Sequence, residues 1–384
     1  MVTTPGLEVN PARACYLGTM PMVAGLPAGG GPAMVVAIIL LLAFLILLHE
    51  AGHYLAARSV GVPVRQFGIG FGPALWSRTW AGTRFRLNLI PFGGYCDLSL
   101  EGEEDADGMP RDALEGRSVP VRMWVMVGGI LFNVIGGWLC LTTQLALQGI
   151  PRTTPLDIER EGIVIQQVAS DRARAAGLKD GDRVLAVGGN RLRAIEDFGK
   201  ALKPRAGASI SLEVRRTEGT LTATRSLIVT PDANGKLGVA ISPPADVRYV
   251  PADGVTELVA AATKRTWDIS LTMVQGLGML VTGKLPLETV GGPVAIVHLG
   301  SRMVHNLVQI LFFAALINLN LAVVNFLPLP ALDGGRLLLL LVEAVLRRPL
   351  PRRLEGTIHS VGMAAMLGLI ALITLKDVLD LFRS

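Results

Sequence analysis

Apolar residues in this chain fall into a few long unbroken runs, not into the stripes that mark the surface helices of a soluble protein. Residues 34–58 read MVVAIILLLAFLILLHEAGHYLAAR, which as a helix is long enough to cross a hydrocarbon core of about 30 Å. Residues 119–147, 307–327 and 359–380 repeat the pattern, so about four transmembrane helices are expected. A further apolar stretch, 269–281, is short for a crossing and carries Gly276 and Gly278, with Gly283 just beyond. Within a linker over 246–306 it predicts an interfacial or re-entrant segment.

The pattern changes between these runs. In the loop 59–118, Arg84-Phe85-Arg86-Leu87-Asn88-Leu89 alternates as a strand does, and Pro91-Phe92-Gly93-Gly94 breaks it. Short membrane-associated β-hairpins are expected there, with a strand edge at Gly93 and Gly94 that takes an extended peptide. Residues 155–245 read as a soluble β-rich domain. In 328–358, Pro328 and Pro330 stop a helix just ahead of Asp333-Gly334-Gly335; backbone broken at that depth is tolerated only where protein covers it or it lines a cavity. In the second span Gly128, Gly129, Gly136 and Gly137 permit close helix packing, and Asn133 reads most simply as a helix-to-helix hydrogen bond, with a catalytic group as the second reading. Residues 1–33, rich in Gly, Pro and Ala, are expected to be disordered. They lack the compact apolar core of a signal sequence, and Met34 is an alternative first residue. The fold class expected is a polytopic α-helical membrane protein with an inserted β-rich domain and a hairpin region at the membrane.

The first span carries chemistry. His49 and His53 are four apart and share one helix face, a spacing from which two imidazoles bind one zinc ion. Glu50, beside the first, is the general base of H-E-x-x-H, activating water and passing the proton to the leaving amine. Polar groups within a membrane cost kcal/mol each, so their default reading is a functional site. A catalytic zinc needs a third protein ligand, commonly a carboxylate. Asp333 is the first choice, at the same face of the bilayer; Glu343 is the runner-up, in the manner of other membrane zincins.

Composition narrows the classes. Half the residues are hydrophobic (51%), aromatics are 5%, and the net charge is +5. The arginines flank apolar runs without interleaved aromatics, which fits membrane orientation and contact with lipid and not nucleic acid. Arg347, Arg348, Arg352 and Arg353 mark the cytoplasmic side in the inner (plasma) membrane, and with four crossings the β-rich domain lies outside the cytoplasm. Cys15, Cys96 and Cys140 have no metal-ligand spacing and make no disulfide framework.

Two resemblances follow from motifs in order. The string Ala176-Gly177-Leu178-Lys179-Asp180-Gly181-Asp182-Arg183-Val184, with the strand after Gly162, resembles a PDZ domain over about 90 residues. That implies a peptide-accepting groove with backbone N–H groups near Gly162 holding a C-terminal carboxylate. HEAGH at 49–53, FGIGFGP at 67–73, PFGGY at 91–95, VGGPVAI at 290–296 and NFLPLPALDGG at 325–335 resemble the site-2 protease family of intramembrane zinc metalloproteases, particularly the bacterial regulator-of-sigma type. The resemblance implies Zn2+ held by His49, His53 and Asp333, Glu50 as base, and Asn325 near the substrate. It implies cleavage of transmembrane segments of single-pass proteins, such as anti-sigma factors and remnant signal peptides, after another protease has trimmed them. The chain departs from the family by Gly128-Gly129-Ile130 in place of A-G-P ahead of Asn133, and by one PDZ domain where the prototype has two. A catalytically idle PDZ scaffold is the non-enzymatic alternative.

Overall fold

The computed structural model describes residues 31–104, 110–114, 116–218, 221–283 and 291–383. The expectation of disorder over 1–33 lies almost wholly outside them. In chain order the elements are α1 (Pro32–Ser59), β1 (Gln66–Trp80), β2 (Thr83–Asp97), β3 (Ser99–Glu104), β4 (Pro110–Asp112), α2 (Val119–Gln148), β5 (Ile150–Pro155), α3 (Ile158–Glu161), β6 (Ile163–Val168), α4 (Asp171–Ala175), β7 (Arg183–Val187), β8 (Asn190–Arg191), α5 (Ile195–Leu202), β9 (Ile210–Glu218), β10 (Leu221–Val229), β11 (Val239–Ser242), β12 (Ala245–Val250), α6 (Val255–Val281), α7 (Pro293–Met303), α8 (Leu307–Phe326), α9 (Asp333–Leu346) and α10 (Arg352–Arg383). They form two compact units: Ile150–Val250, and the described residues before and after it.

In the helical unit, four helices are long and apolar enough to cross a membrane: α1, α2, α8 and the Leu354–Leu379 part of α10. The centre is α2, which packs against α1, α6, α8 and α9. Glycines set that packing. A Cβ on Gly128 would lie 2.5 Å from the Gly52 carbonyl oxygen and 2.6 Å from Ala56 Cβ, so the backbones of α1 and α2 touch. Without the family's proline, α2 runs unbroken through Gly128-Gly129-Ile130.

The stretch 269–281, expected to be an interfacial or re-entrant segment, is not broken at Gly276 and Gly278. Residues 269–281 are the second half of one 27-residue helix, α6. Two glycines in a long helix cost about 1 kcal/mol each, too little to break it, and only Gly283, at φ +68°, lies beyond its end. On α10, Asp377 accepts hydrogen bonds from the backbone N–H of Gly292 (3.0 Å) and Ala295 (2.9 Å). It thereby caps α7, whose first residue is Pro293.

The loop after α1 is a longer β-structure than the short hairpins expected. β1 and β2 have 15 residues each and turn at Ala81-Gly82. Gln66–Ile69 aligns in descending register with Asp97–Gly94 and in ascending register with Arg84–Leu87, so this segment is flanked on both sides. Gly94–Cys96 is therefore an outer edge, with no further strand beside it among the described residues. Phe71, Leu75, Trp76, Trp80, Leu89 and Ile90 are exposed along the hairpin, an apolar surface suited to lipid and unsuited to water.

In Ile150–Val250, β5 and β12 form an antiparallel ribbon from Ile150↔Val250 to Pro155↔Ala245. The sheet runs β10-β9-β7-β6-β11, with β8 on β7, over a core that includes Ile163, Ile165, Val184 and Leu212. Asp182, almost fully buried, takes a two-pronged bond from Arg216: Nε to Oδ1 at 2.6 Å and Nη2 to Oδ2 at 2.7 Å. That contact raises the guanidinium pKa further, and Lys179 N–H donates to the same carboxylate at 2.9 Å. The Asp180-Gly181-Asp182 turn is thus pinned to β9.

Candidate metal centre

His49 and His53 lie one turn apart on α1 with ring centroids 4.8 Å apart, and both are buried. Opposite them the chain breaks between α8 and α9. Pro328 and Pro330 cannot continue α8, Ala331 takes φ +73°, and Asp333 opens α9. Gly334 and Gly335 let the new helix fold against the old one: a Cβ on Gly334 would lie 2.5 Å from Phe326 C, and one on Gly335 2.7 Å from Leu329 C. Gly362 of α10 packs on Pro330, and His359 Nδ1 accepts from the Ala331 N–H at 3.3 Å.

The break delivers one carboxylate oxygen to both imidazoles. Asp333 Oδ2 is 3.2 Å from His49 Nε2 and 3.3 Å from His53 Nε2, and the two nitrogens are 3.2 Å apart. His53 Nδ1 donates to the Val125 carbonyl at 2.8 Å, which leaves its Nε2 a bare lone pair facing the other two atoms. Lone pairs converging on one point repel unless a cation sits there. The observed triangle fits zinc, because tetrahedral bonds of about 2.0–2.1 Å space ligand atoms about 3.3 Å apart. These three form the one His/Cys/Asp/Glu cluster of ligand spacing among the described residues.

A cavity of about 550 Å³ opens onto this triangle. Glu50, Asn325 and Gly94 line it with His49, His53 and Asp333, as do His359 and Cys96. Asn325 Nδ2 is 3.5 Å from His49 Nε2. A Cβ on Gly94 would lie 3.2 Å from Glu50 Cγ, so the outer strand edge runs beside that carboxylate. Burial first, then the charges of Glu50 and Asp97, push the Cys96 thiol up to about 12.

Other sequence candidates lie elsewhere. Gly93, at φ +82°, has the Phe71 ring over it, where a Cβ would lie 2.7 Å from Cε2. The runner-up ligand, Glu343, is engaged: its Oε2 takes the Arg122 guanidinium at 2.5 Å and its Oε1 the Leu350 N–H at 2.9 Å. Gly162 belongs to the β-rich unit, and its N–H is bonded to the Ile158 carbonyl at 2.8 Å. Its close approach to Val184 O, 2.7 Å for a Cβ, accounts for the glycine. The strand that follows, β6, lies between β7 and β11, so the open edge on that side of the sheet belongs to β11. Asn133, expected to make a helix-to-helix hydrogen bond, does so, and its partner is His49 Nδ1 at 3.1 Å; His359, which also lines the cavity, carried no signal in the sequence. The signal for Asn133 was its place as an amide in the middle of an apolar helix, among Gly128, Gly129, Gly136 and Gly137.

The model of peptidase family M50 matches residues 37–369. The Nostoc sp. protein named "Putative zinc metalloprotease all3971" is 35% identical over 90% of this chain and 96% of its own length. "Membrane metalloprotease ARASP, chloroplastic" of Arabidopsis thaliana is 31% identical over 94% and 81%, and "Regulator of sigma-W protease RasP" of Bacillus subtilis 26% over 91% and 99%. A PDZ domain of the SdrC-like protein from Listeria monocytogenes, 19% identical, covers 21% of this chain and 87% of that one with a TM-score of 0.18, a likeness that decides nothing. The chain belongs to peptidase family M50, the site-2 proteases, and is a multi-pass membrane zinc metalloprotease.

Proposed function

We propose that this M50 protease is an intramembrane endopeptidase that cuts the transmembrane segments of single-pass proteins, anti-sigma factors and remnant signal peptides among them, in regulated intramembrane proteolysis. The observation that carries the reading is a His-His-Asp triangle with Glu50 at one cavity, built on a helix able to span a bilayer and edged by the strand Gly94–Cys96. A transmembrane helix must be unwound to be cut, and in lipid its freed backbone groups need partners. The Gly94–Cys96 edge offers them, holding the peptide extended past Glu50.

Zinc held by His49, His53 and Asp333 would supply Lewis acidity that readies water for attack at neutral pH. Glu50 takes the proton of the attacking water and returns it to the leaving amide nitrogen. Asn325 Nδ2 donates toward the carbonyl oxygen of the bond being cut. Gly94 keeps the edge clear of a side chain that would press on Glu50. An idle scaffold has no use for a base beside three ligand atoms, and a Glu343-ligated zincin would have to break the bond to Arg122.

The reading extends to topology and partners. The arginine cluster at 347–353 puts the β-rich unit, as a PDZ domain, on the extracytoplasmic side of the inner (plasma) membrane. Substrates are transmembrane proteins already shortened by another protease, and the peptide-accepting edge of that domain is β11 following Leu237-Gly238. The deciding experiment is metal analysis with a cleavage assay. Glu50→Gln keeps zinc and loses cleavage, whereas Asp333→Ala loses both. Wild-type zinc affinity in Asp333→Ala would refute the ligand assignment.

A further inference from the structure

We propose that Asn133 is a positioning residue of the metal centre, holding the His49 imidazole in the tautomer whose Nε2 is free to bind metal. The proposal rests on the reading of His49, His53 and Asp333 as ligands. Asn133 on α2 is fully buried, and its amide meets His49 Nδ1 at 3.1 Å. With Nδ2 toward the ring, the amide donates, and His49 then carries its proton on Nε2. That proton points at His53 Nε2 and Asp333 Oδ2, both 3.2 Å away, and closes His49 to a cation.

Turning the amide over exchanges two atoms of nearly equal size, and only hydrogen bonding distinguishes them. Oδ1 then accepts from His49 Nδ1–H and bares the Nε2 lone pair. In the other orientation Oδ1 has no protein partner, and after the turn Nδ2 takes that place. One amide atom is left over either way, so the contact with His49 decides. The turned form makes the two histidines alike: each donates its Nδ1–H to α2, His53 to the Val125 carbonyl and His49 to the Asn133 side chain. The two together orient both rings. Gly129, between these partners on α2, leaves room for the rings to approach.

A mere helix-to-helix hydrogen bond predicts something different from an acceptor for Nδ1–H, and two variants separate them. Asn133→Leu keeps the volume and removes the acceptor. Asn133→Asp keeps an acceptor and removes the donor. Zinc affinity is measured by chelator competition on the detergent-solubilised full chain, with the melting temperature of the metal-free protein alongside. Asn133→Leu should bind zinc about 10- to 100-fold more weakly, while Asn133→Asp stays within about threefold of wild type. If Asn133→Leu fails to fold, the Asp variant still decides: a loss of zinc there equal to the loss in Asp333→Ala overturns the proposal. Asn133→Leu that binds zinc as tightly as wild type, in a protein whose binding needs Asp333, overturns the role of Asn133 alone. Wild type that binds no zinc, or binds it undiminished in Asp333→Ala, overturns the ligand assignment and this proposal with it.

Discussion

A single methyl group at Gly129 should damage the metal centre while leaving the fold in place. A Cβ there would lie 2.6 Å from His49 Cε1 and 2.8 Å from His53 Cε1, with His53 Nε2 closer still. Carbon atoms rest about 3.5–4.0 Å apart, so at least one ring must retreat by about 1 Å. Metal–ligand bonds tolerate about 0.2 Å. Neither ring is free to move, because His53 is bonded to Val125 and His49 meets Asn133. The backbone of α2 is held too, by the Gly52–Gly128 contact. Overpacking of this kind costs about 1–3 kcal/mol. If that falls on the ligand geometry, zinc affinity drops about 5- to 150-fold at about 1.4 kcal/mol per decade, and cleavage drops with it. The assay is chelator competition on purified Gly129→Ala, with Gly276→Ala as control. Gly276 has open space around it on α6, so alanine there should be neutral or stabilising by up to about 1 kcal/mol. Wild-type zinc affinity in a folded Gly129→Ala would refute the reasoning, since the rings would then have slack that the packing denies them.

Three further outcomes are expected. In metal-free protein carrying Cys15→Ser and Cys140→Ser, alkylation of Cys96 should keep rising about tenfold per pH unit past pH 10, because a thiol raised to about 12 is scarcely ionised below that; a plateau near pH 9, as for an ordinary thiol of about 8.5, would show that burial and Glu50 do not act on it. An impermeant thiol reagent should label Ala208→Cys, an exposed site of the β-rich unit, in intact cells, and protection relieved only by lysis would reverse the proposed orientation. Deleting residues 160–245 should let the protease cut an untrimmed substrate, if the β-rich unit acts as a size filter; an unchanged preference for the trimmed form would leave that unit a docking or regulatory module.

The sequence by itself determined whatever depends on neighbours along the chain. Helical periodicity sets His49 and His53 on one face with Glu50 beside them. The length of the apolar runs marks four spans, and the two prolines end α8 just before Asp333. These are properties of a few consecutive residues, and backbone geometry translates them directly. The same locality has a limit: Gly276 and Gly278 weigh about 1 kcal/mol each, less than the continuity of a long helix, so α6 runs unbroken through them.

Only the tertiary structure decided what meets across distance. Asn133 and Val125 reach the two histidines because α2 lies against α1 at glycines, a contact that a one-dimensional pattern records merely as small residues. Gly94 falls beside Glu50, and Gly93 does not, because β1 is flanked on both sides and turns Gly94–Cys96 into the outer edge. Glu343 is withdrawn from metal chemistry by Arg122, 221 positions earlier in the chain. In the β-rich unit, strand order makes β11 an edge and puts β6, the strand after Gly162, inside the sheet. Each of these pairings closes a loop whose entropic cost is met by packing elsewhere. No short stretch of sequence encodes which partner is found at the far end.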